Sequence, residues 1–197
     1  MSTVTRAPRV EDAPIPQSPV SPYPITEEAE VVAGFGRGSA ELGIPTANLP
    51  IDQLPLLNAQ IDRTGVYFGW CVLRAHPKEA EAQIKTRSDG KTEVEYNFGN
   101  QLSSDGASGI ILPMVASIGW NPFYNNKEKA VELHVMHKFD HSFYGAVIRF
   151  NILGYIRPEL NYTTKEALIK DIHTDIEIAL ETLATPEYTA MQRTLLD

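Results

Sequence analysis

Ala130-Val-Glu-Leu-His-Val-Met136 alternates apolar and polar side chains with period two, which is the pattern of a β-strand with one buried face. Val131, Leu133 and Val135 fall on one side, and Glu132, His134 and Met136 on the other. The alternation leaves open which side is inside. Stretches on both flanks continue the theme. Gly65-Val-Tyr-Phe-Gly-Trp-Cys-Val-Leu73 is β-branched and aromatic and reads as a buried strand bent at Gly69. Met114–Ile118 and Tyr144–Tyr155 read as further strands, and Glu30–Ala33 as a short one running into a Gly-rich loop. Short strands punctuated by Gly and Pro predict a mainly β fold, a closed barrel or a sandwich.

The C-terminus changes period. Thr163-x-x-Glu166 reads as a capping box. Leu168, Ile169, Ile172, Ile176, Ala179, Leu180 and Leu183 then recur at helical spacing as one apolar stripe. Thr185-Pro186 ends this helix and opens a second, short one. The expected architecture is a barrel with one long helix packed on it. Between the strands, Arg74–Leu112 is charged and carries Asp89-Gly90, a two-residue hairpin turn signal flanked by arms Gln83–Arg87 and Thr92–Phe98. It reads as a surface hairpin insertion without a catalytic role. Residues 1–25 read as a flexible Pro-rich tail. Pro45 and Pro50 forbid a long helix between the first strands.

Composition narrows the function classes. A net charge of −8 makes the chain a poor general binder of nucleic acid. No apolar run reaches the ~20 residues of a membrane span, and the first residues lack the apolar core of a secretory signal, so the expected address is cytoplasmic. A single cysteine, Cys71, excludes an internal disulfide framework and a Cys-based zinc site. It reads as a small core residue.

Three groups of residues carry chemistry. Gly34-Phe-Gly36-Arg-Gly38-Ser clusters glycines that let backbone N–H groups approach phosphate oxygens. It is neither a Walker A loop nor a dinucleotide fingerprint, and alone it reads more simply as a tight turn. Thr46 and Asn48 are two apart and point the same way from an extended chain. A hydroxyl and an amide oxygen suit Mg²⁺ arriving with nucleotide phosphates, although local chemistry alone favours bonds to turn backbone. Glu132 is either an ordinary solvent-facing carboxylate or, if its face is enclosed, a positioned base. His134 shares its face, while His137 lies on the opposite one, so a shared metal is disfavoured. Trp120 and Tyr124 are loop aromatics able to cover a ring ligand.

Taken together, these pieces resemble a known family. Gly34-Phe-Gly-Arg-Gly-Ser-x-Glu-Leu-Gly-Ile-Pro-Thr-Ala-Asn48, Gly65-Val-Tyr-Phe-Gly-Trp70, Ser117-Ile-Gly-Trp-Asn-Pro-Phe-Tyr124, Glu132-Leu-His-Val-Met-His137, Phe143-Tyr-Gly145 and Gly154-Tyr-Ile-Arg-Pro-Glu159 follow the order of the signature of eukaryotic-type riboflavin kinases. The resemblance spans about 28–73 and 113–188. It implies a six-stranded antiparallel β-barrel with a C-terminal helix, occupying 26–197 with 74–112 as the insertion. It implies transfer of the γ-phosphoryl group of MgATP to riboflavin, giving FMN and ADP, by a protein expected to act as a monomer. By resemblance, Glu132 is the catalytic carboxylate. Gly34, Thr46, Asn48, Val135, His137 and Tyr144 hold ATP, and Thr46 and Asn48 hold the metal, Mg²⁺ with Zn²⁺ as the alternative. Arg157 and Tyr162 lie at the flavin. Two positions depart from the pattern: Ala40 stands where relatives often carry Lys, and Leu160 where they often carry a polar residue. The competing readings are a non-catalytic flavin carrier and a regulatory domain that has lost activity. The Thr46/Asn48 pair and Glu132 favour the enzyme.

Overall fold

The computed structural model describes residues 13–34, 46–79, 81–87, 89–120, 127–160 and 164–196. Arg37, Ala40, Tyr124, Tyr162 and Thr163 lie outside them. The strands are β1 (Ile25–Glu30), β2 (Ala47–Leu49), β3 (Gly65–Arg74), β4 (Gln83–Thr86), β5 (Glu93–Tyr96), β6 (Ile111–Trp120), β7 (Lys129–Val135), β8 (Val147–Ile152) and β9 (Gly154–Arg157). Helix α1 (Pro55–Gln60) precedes β3, and α2 (Lys165–Leu183) and α3 (Pro186–Thr189) close the chain.

One curved antiparallel sheet runs β1-β8-β3-β6-β7-β2, with β9 on β3 and the β4–β5 hairpin separate. Its two ends approach each other. Val32, just past β1, bridges Asn48 of β2, its N–H donating to the Asn48 carbonyl at 2.9 Å. This is the expected antiparallel barrel.

The continuous apolar run of β3 has a direct cause: both its faces are buried. Tyr67, Cys71 and Leu73 point into the barrel with Met114, Leu133, Ile148 and Phe150. Val66, Phe68, Trp70 and Val72 point outward under Ala179 and Leu183 of α2 and Tyr188 of α3. Such a strand loses the alternation that a half-exposed strand keeps. Gly69 marks a close crossing, as its bend signal anticipated. A Cβ there would sit 1.8 Å from the Asn151 carbonyl oxygen. At this crossing the Asn151 side-chain oxygen accepts from Trp70 N–H at 2.8 Å, and the partner of β3 passes from β8 to β9. Cys71 is buried, and burial pushes its thiol far up, which suits a core residue.

Helix α1 has no counterpart in the sequence reading, because six residues are too few to show a period. It is held at both ends by charge. Glu27 accepts from Leu56 N–H at 2.8 Å and Leu57 N–H at 2.9 Å at its N-terminus. Lys129 Nζ donates to the Asn58 carbonyl at 2.9 Å, and also to that of Ile61, at its C-terminus. A carboxylate at the first turn and an ammonium at the last match the helix dipole. Glu27→Ala should therefore destabilise the fold by about 1–2 kcal/mol, read as a lower urea midpoint at unchanged slope. A midpoint equal to wild type would remove Glu27 as a cap.

Three expectations need correction. The N-cap of α2 is Thr164, whose hydroxyl accepts from Ala167 N–H at 3.2 Å, so the cap lies one residue later than the capping box placed it. The buried face of α2 is Asp171, Asp175, Ala179 and Leu183, while Leu180 is exposed. Asp175 can occupy that face because buried Arg157 binds it. The Pro-rich segment is also not all tail. Ala13 N–H donates to the Ile156 carbonyl at 2.9 Å, Tyr188 Oη donates to the Pro16 carbonyl at 2.7 Å, and Ile15 packs on the outer core. Prolines lack N–H groups but keep their carbonyls as acceptors, so such a segment can lie along a fold without joining a sheet.

Candidate active site

The register of the sheet brings three of the polar residues together. Asn48 stands directly opposite Glu132, and Glu132 directly opposite Ser117. Opposed residues of an antiparallel pair project on one side, with Cβ atoms ~4.5–5.5 Å apart. Asn48, Glu132 and Ser117 thus form one row across β2, β7 and β6. The row lies outside the barrel, because Val131, Leu133 and Val135 fill the interior. Glu132 is half-buried, and His134 shares its face opposite Val115. This decides what the alternation alone left open.

Gly34 closes on this row. A Cβ at Gly34 would lie 2.7 Å from the Asn48 carboxamide, so only a glycine lets the loop entrance approach so closely. At the other end, Glu159 packs on Gly119, where a Cβ would meet its Oε1 at 2.2 Å. Burial raises the Glu159 carboxyl above its usual range, and the Thr64 hydroxyl and Arg157 pull the other way. Sequence reasoning gave no role to Ser117 or Glu159. Both stand in the quoted motifs, but only the strand register brings them beside Glu132.

A cleft of about 280 Å³ opens at the barrel mouth, lined by Val31, Thr46, Ala47, Leu133, Val135 and the Phe139–Tyr144 loop, on the inner face of β2 and β7, while the row projects from their outer face. Three of the residues expected at ATP therefore meet here: Thr46, Val135 and Tyr144. His137 sits at the edge. Its ring stacks edge-on against Phe139 at 4.9 Å, and its Nε2 is 2.8 Å from the Asp105 carbonyl, which assigns the proton to Nε2. His141, on the cleft wall, places Nδ1 2.9 Å from Asp105 Oδ1, and this contact holds the Asp105 carboxyl below its usual range.

These contacts correct the reading of 74–112 as a surface hairpin alone. The arms form as expected, but the loop is longer than two residues: Arg87 and Thr92 close it through a 2.7 Å backbone bond. Asp89 caps the loop, accepting from Lys91 N–H, Thr92 N–H and Thr92 Oγ1, which holds its carboxyl at about 2. Beyond the hairpin the insertion is integral. Phe98, Leu102 and Ala107 are buried. Tyr96 Oη accepts from Ala33 N–H at 2.9 Å, and Phe98 N–H donates to the Tyr144 carbonyl at 2.9 Å. The insertion packs behind Tyr144, a residue of the cleft wall.

The residues expected at the flavin fare differently. Arg157 is only 4% exposed. Its guanidinium forks onto Asp175 through Nε at 2.9 Å and Nη2 at 2.8 Å, and Nη1 donates to the Pro158 carbonyl at 3.1 Å. It ties β9 to α2. Trp120 is 46% exposed at the end of β6, with Lys129 Nζ 5.9 Å from its ring centre.

A curved antiparallel sheet with C-terminal helices packed on it is the flavokinase-like class of fold. The crystal structure of riboflavin kinase from Trypanosoma brucei has it too, with a TM-score of 0.59 and 24% identity over 88% of each chain. The riboflavin kinase family model matches residues 21–183. The chain is 59% identical to riboflavin kinase of Kluyveromyces lactis over 93% of its length and 97% of that protein. It is 53% identical to that of Saccharomyces cerevisiae over 95% and 85%. The chain belongs to the riboflavin kinase family, enzymes that use ATP to phosphorylate riboflavin to FMN. Among the described residues no helix is long and apolar enough to cross a membrane.

Proposed function

We propose that this chain performs the family reaction with Glu132 as base, the nucleotide in the mouth cleft and the acceptor on the outer face. The observation that carries the reading is the register: one row holds Asn48 beside Glu132, with Gly34 pressed on Asn48. The two halves of a phosphoryl transfer, phosphate holding and proton removal, need to be adjacent.

The terminal ribityl hydroxyl of riboflavin gives its proton to the Glu132 carboxylate. Its oxygen forms the new bond to the γ-phosphorus as the bond to the β-phosphate oxygen breaks, and ADP leaves. A carboxylate is a weak base for an alcohol, and a loose transition state needs the proton late. Gly34 lets the backbone close on Asn48 and offer its N–H toward phosphate oxygens. Val135 and Tyr144 wall the base-sized part of the cleft. Thr46 and Asn48 are hard, neutral oxygen donors that fit Mg²⁺ better than Zn²⁺, which prefers nitrogen and sulfur. Two neutral ligands hold a metal weakly, so it enters with ATP. When bound, it supplies charge neutralisation on the phosphoryl oxygens.

The flavin ring lies toward Trp120, Gly119 and Glu159, with Tyr162 contributing from the chain before α2. Arg157 serves this side by anchoring β9 to α2. The test is FMN formation by purified protein from riboflavin, ATP and Mg²⁺, followed by Asn48→Ala. That variant should need about tenfold more Mg²⁺ for half-maximal rate and should leave the riboflavin KM unchanged. An unaltered Mg²⁺ requirement would remove Asn48 from the metal site.

A further inference from the structure

The β4–β5 hairpin sorts its charges by face. In the strand register Gln83 opposes Tyr96 and Lys85 opposes Val94, while Ile84 opposes Glu95 and Thr86 opposes Glu93. The first set faces the body of the protein. Lys85 Nζ lies 4.7 Å from the Tyr96 ring centre and 5.3 Å from that of Phe98, and the Tyr96 ring is 5.6 Å from that of Tyr144 in the cleft wall. Arg87, next on this face, places Nη1 3.4 Å from the Gly34 carbonyl. The second set faces solvent, with Ile84 64% exposed and Glu93 and Glu95 exposed. In a chain of net charge −8, Lys85 and Arg87 share one face of this hairpin while Glu93 and Glu95 share the other.

Arg87 carries a second sign. Its Nε is buried and has no hydrogen-bond partner among the described residues. A buried guanidinium N–H without an acceptor is costly unless a ligand supplies one. The nearest carboxylate on its own loop, Asp89, already accepts three bonds from Lys91 and Thr92.

We propose that Arg87, supported by Lys85, is a phosphate-contacting residue of the ATP site, so that the insertion supplies the cationic side of a pocket whose other ligands are neutral. This rests on the assignment of Gly34, Thr46 and Asn48 to the phosphate end of the nucleotide. Guanidinium matches phosphate geometry with parallel N–H donors. Lys85, two residues before Arg87 on the same strand face, adds a second positive charge to that face.

Steady-state kinetics of the full chain, varying ATP and riboflavin separately, test it. Arg87→Gln should raise the ATP KM about five- to tenfold and Lys85→Gln about twofold, with kcat and the riboflavin KM within twofold of wild type. Arg87→Lys should raise the ATP KM less than Arg87→Gln, because it keeps the charge and loses the forked donors. Glu95→Gln, on the outward face, should leave every parameter unchanged. The ATP KM of wild type should climb with salt more steeply than that of Arg87→Gln. An ATP KM unchanged in Arg87→Gln, or a parallel rise in the riboflavin KM, would overturn the proposal and leave the hairpin a purely structural wall. Asn48→Ala in the same assays separates the two assignments. If it changes the Mg²⁺ or ATP requirement while Arg87→Gln does not, the phosphate site stands and the cation proposal falls. If neither variant alters any ATP parameter, both fall together.

Discussion

Glu132→Gln should lower kcat by about 10²–10⁴-fold and leave the KM values for ATP and riboflavin near those of wild type. The substitution is isosteric and keeps a neutral amide where the carboxylate stood. Asn48 and Ser117, its neighbours in the row, lose no packing. The loss therefore falls on the proton transfer, an interaction made only in the transition state, and so appears in kcat and kcat/KM equally. Positioning and phosphate neutralisation remain, which is why measurable turnover should persist. Single-turnover quench of riboflavin phosphorylation at saturating MgATP reads the chemical step directly. A rate within threefold of wild type would take the base role from Glu132 and point to transfer without a protein base.

Asp175→Ala should destabilise the fold by about 3–5 kcal/mol, a loss expected when one member of a buried ion pair is removed. The side chains of Arg157 and Asp175 are 5% and 3% exposed and meet at 2.8 Å. Without the carboxylate, the guanidinium stays buried with its forked acceptor gone. The pair joins β9 to α2, so the effect should reach the helix that covers Phe68 and Trp70. Urea denaturation followed by far-UV circular dichroism measures it. The double variant Arg157→Met/Asp175→Leu should recover most of the loss, because apolar replacements need no desolvated charge. A single-variant loss below about 1 kcal/mol, typical of a solvent-exposed pair, would show that water reaches this contact. Catalysis offers a second reading. If Arg157 acts on the flavin only through its anchoring, the double variant should bind riboflavin nearly as well as wild type.

How much of this was legible in the chain depends on how local each signal is. Strand β7 was readable to within a residue because one of its faces is buried and the other polar, so period two survives in the residue types. Strand β3 was readable as a strand for a different reason. Both its faces are covered, and β-branched and aromatic residues accumulate. Helix α1 was invisible, since six residues carry no period and its caps, Glu27 and Lys129, come from two other strands. The inward face of α2 was misjudged at Asp171 and Asp175 because an acid reads as exposed until its partner is known. Arg157 lies 18 residues before Asp175, and nothing local couples them.

The candidate site divides along the same line. Glycine at 34, hard oxygen ligands at 46 and 48 and a carboxylate at 132 are choices of residue type, and residue type is written in the chain. The amino-acid order by itself therefore determined the barrel class, the long helix and the family signature. Which face of β7 carries Glu132, that Asn48, Glu132 and Ser117 stand in one row, and that the insertion packs behind Tyr144 depend on strand register and on contacts between residues tens of positions apart. Those are properties of the closed sheet. The free energy that selects them comes from burying Val131, Leu133 and Val135 together, which leaves Glu132 no face but the outer one.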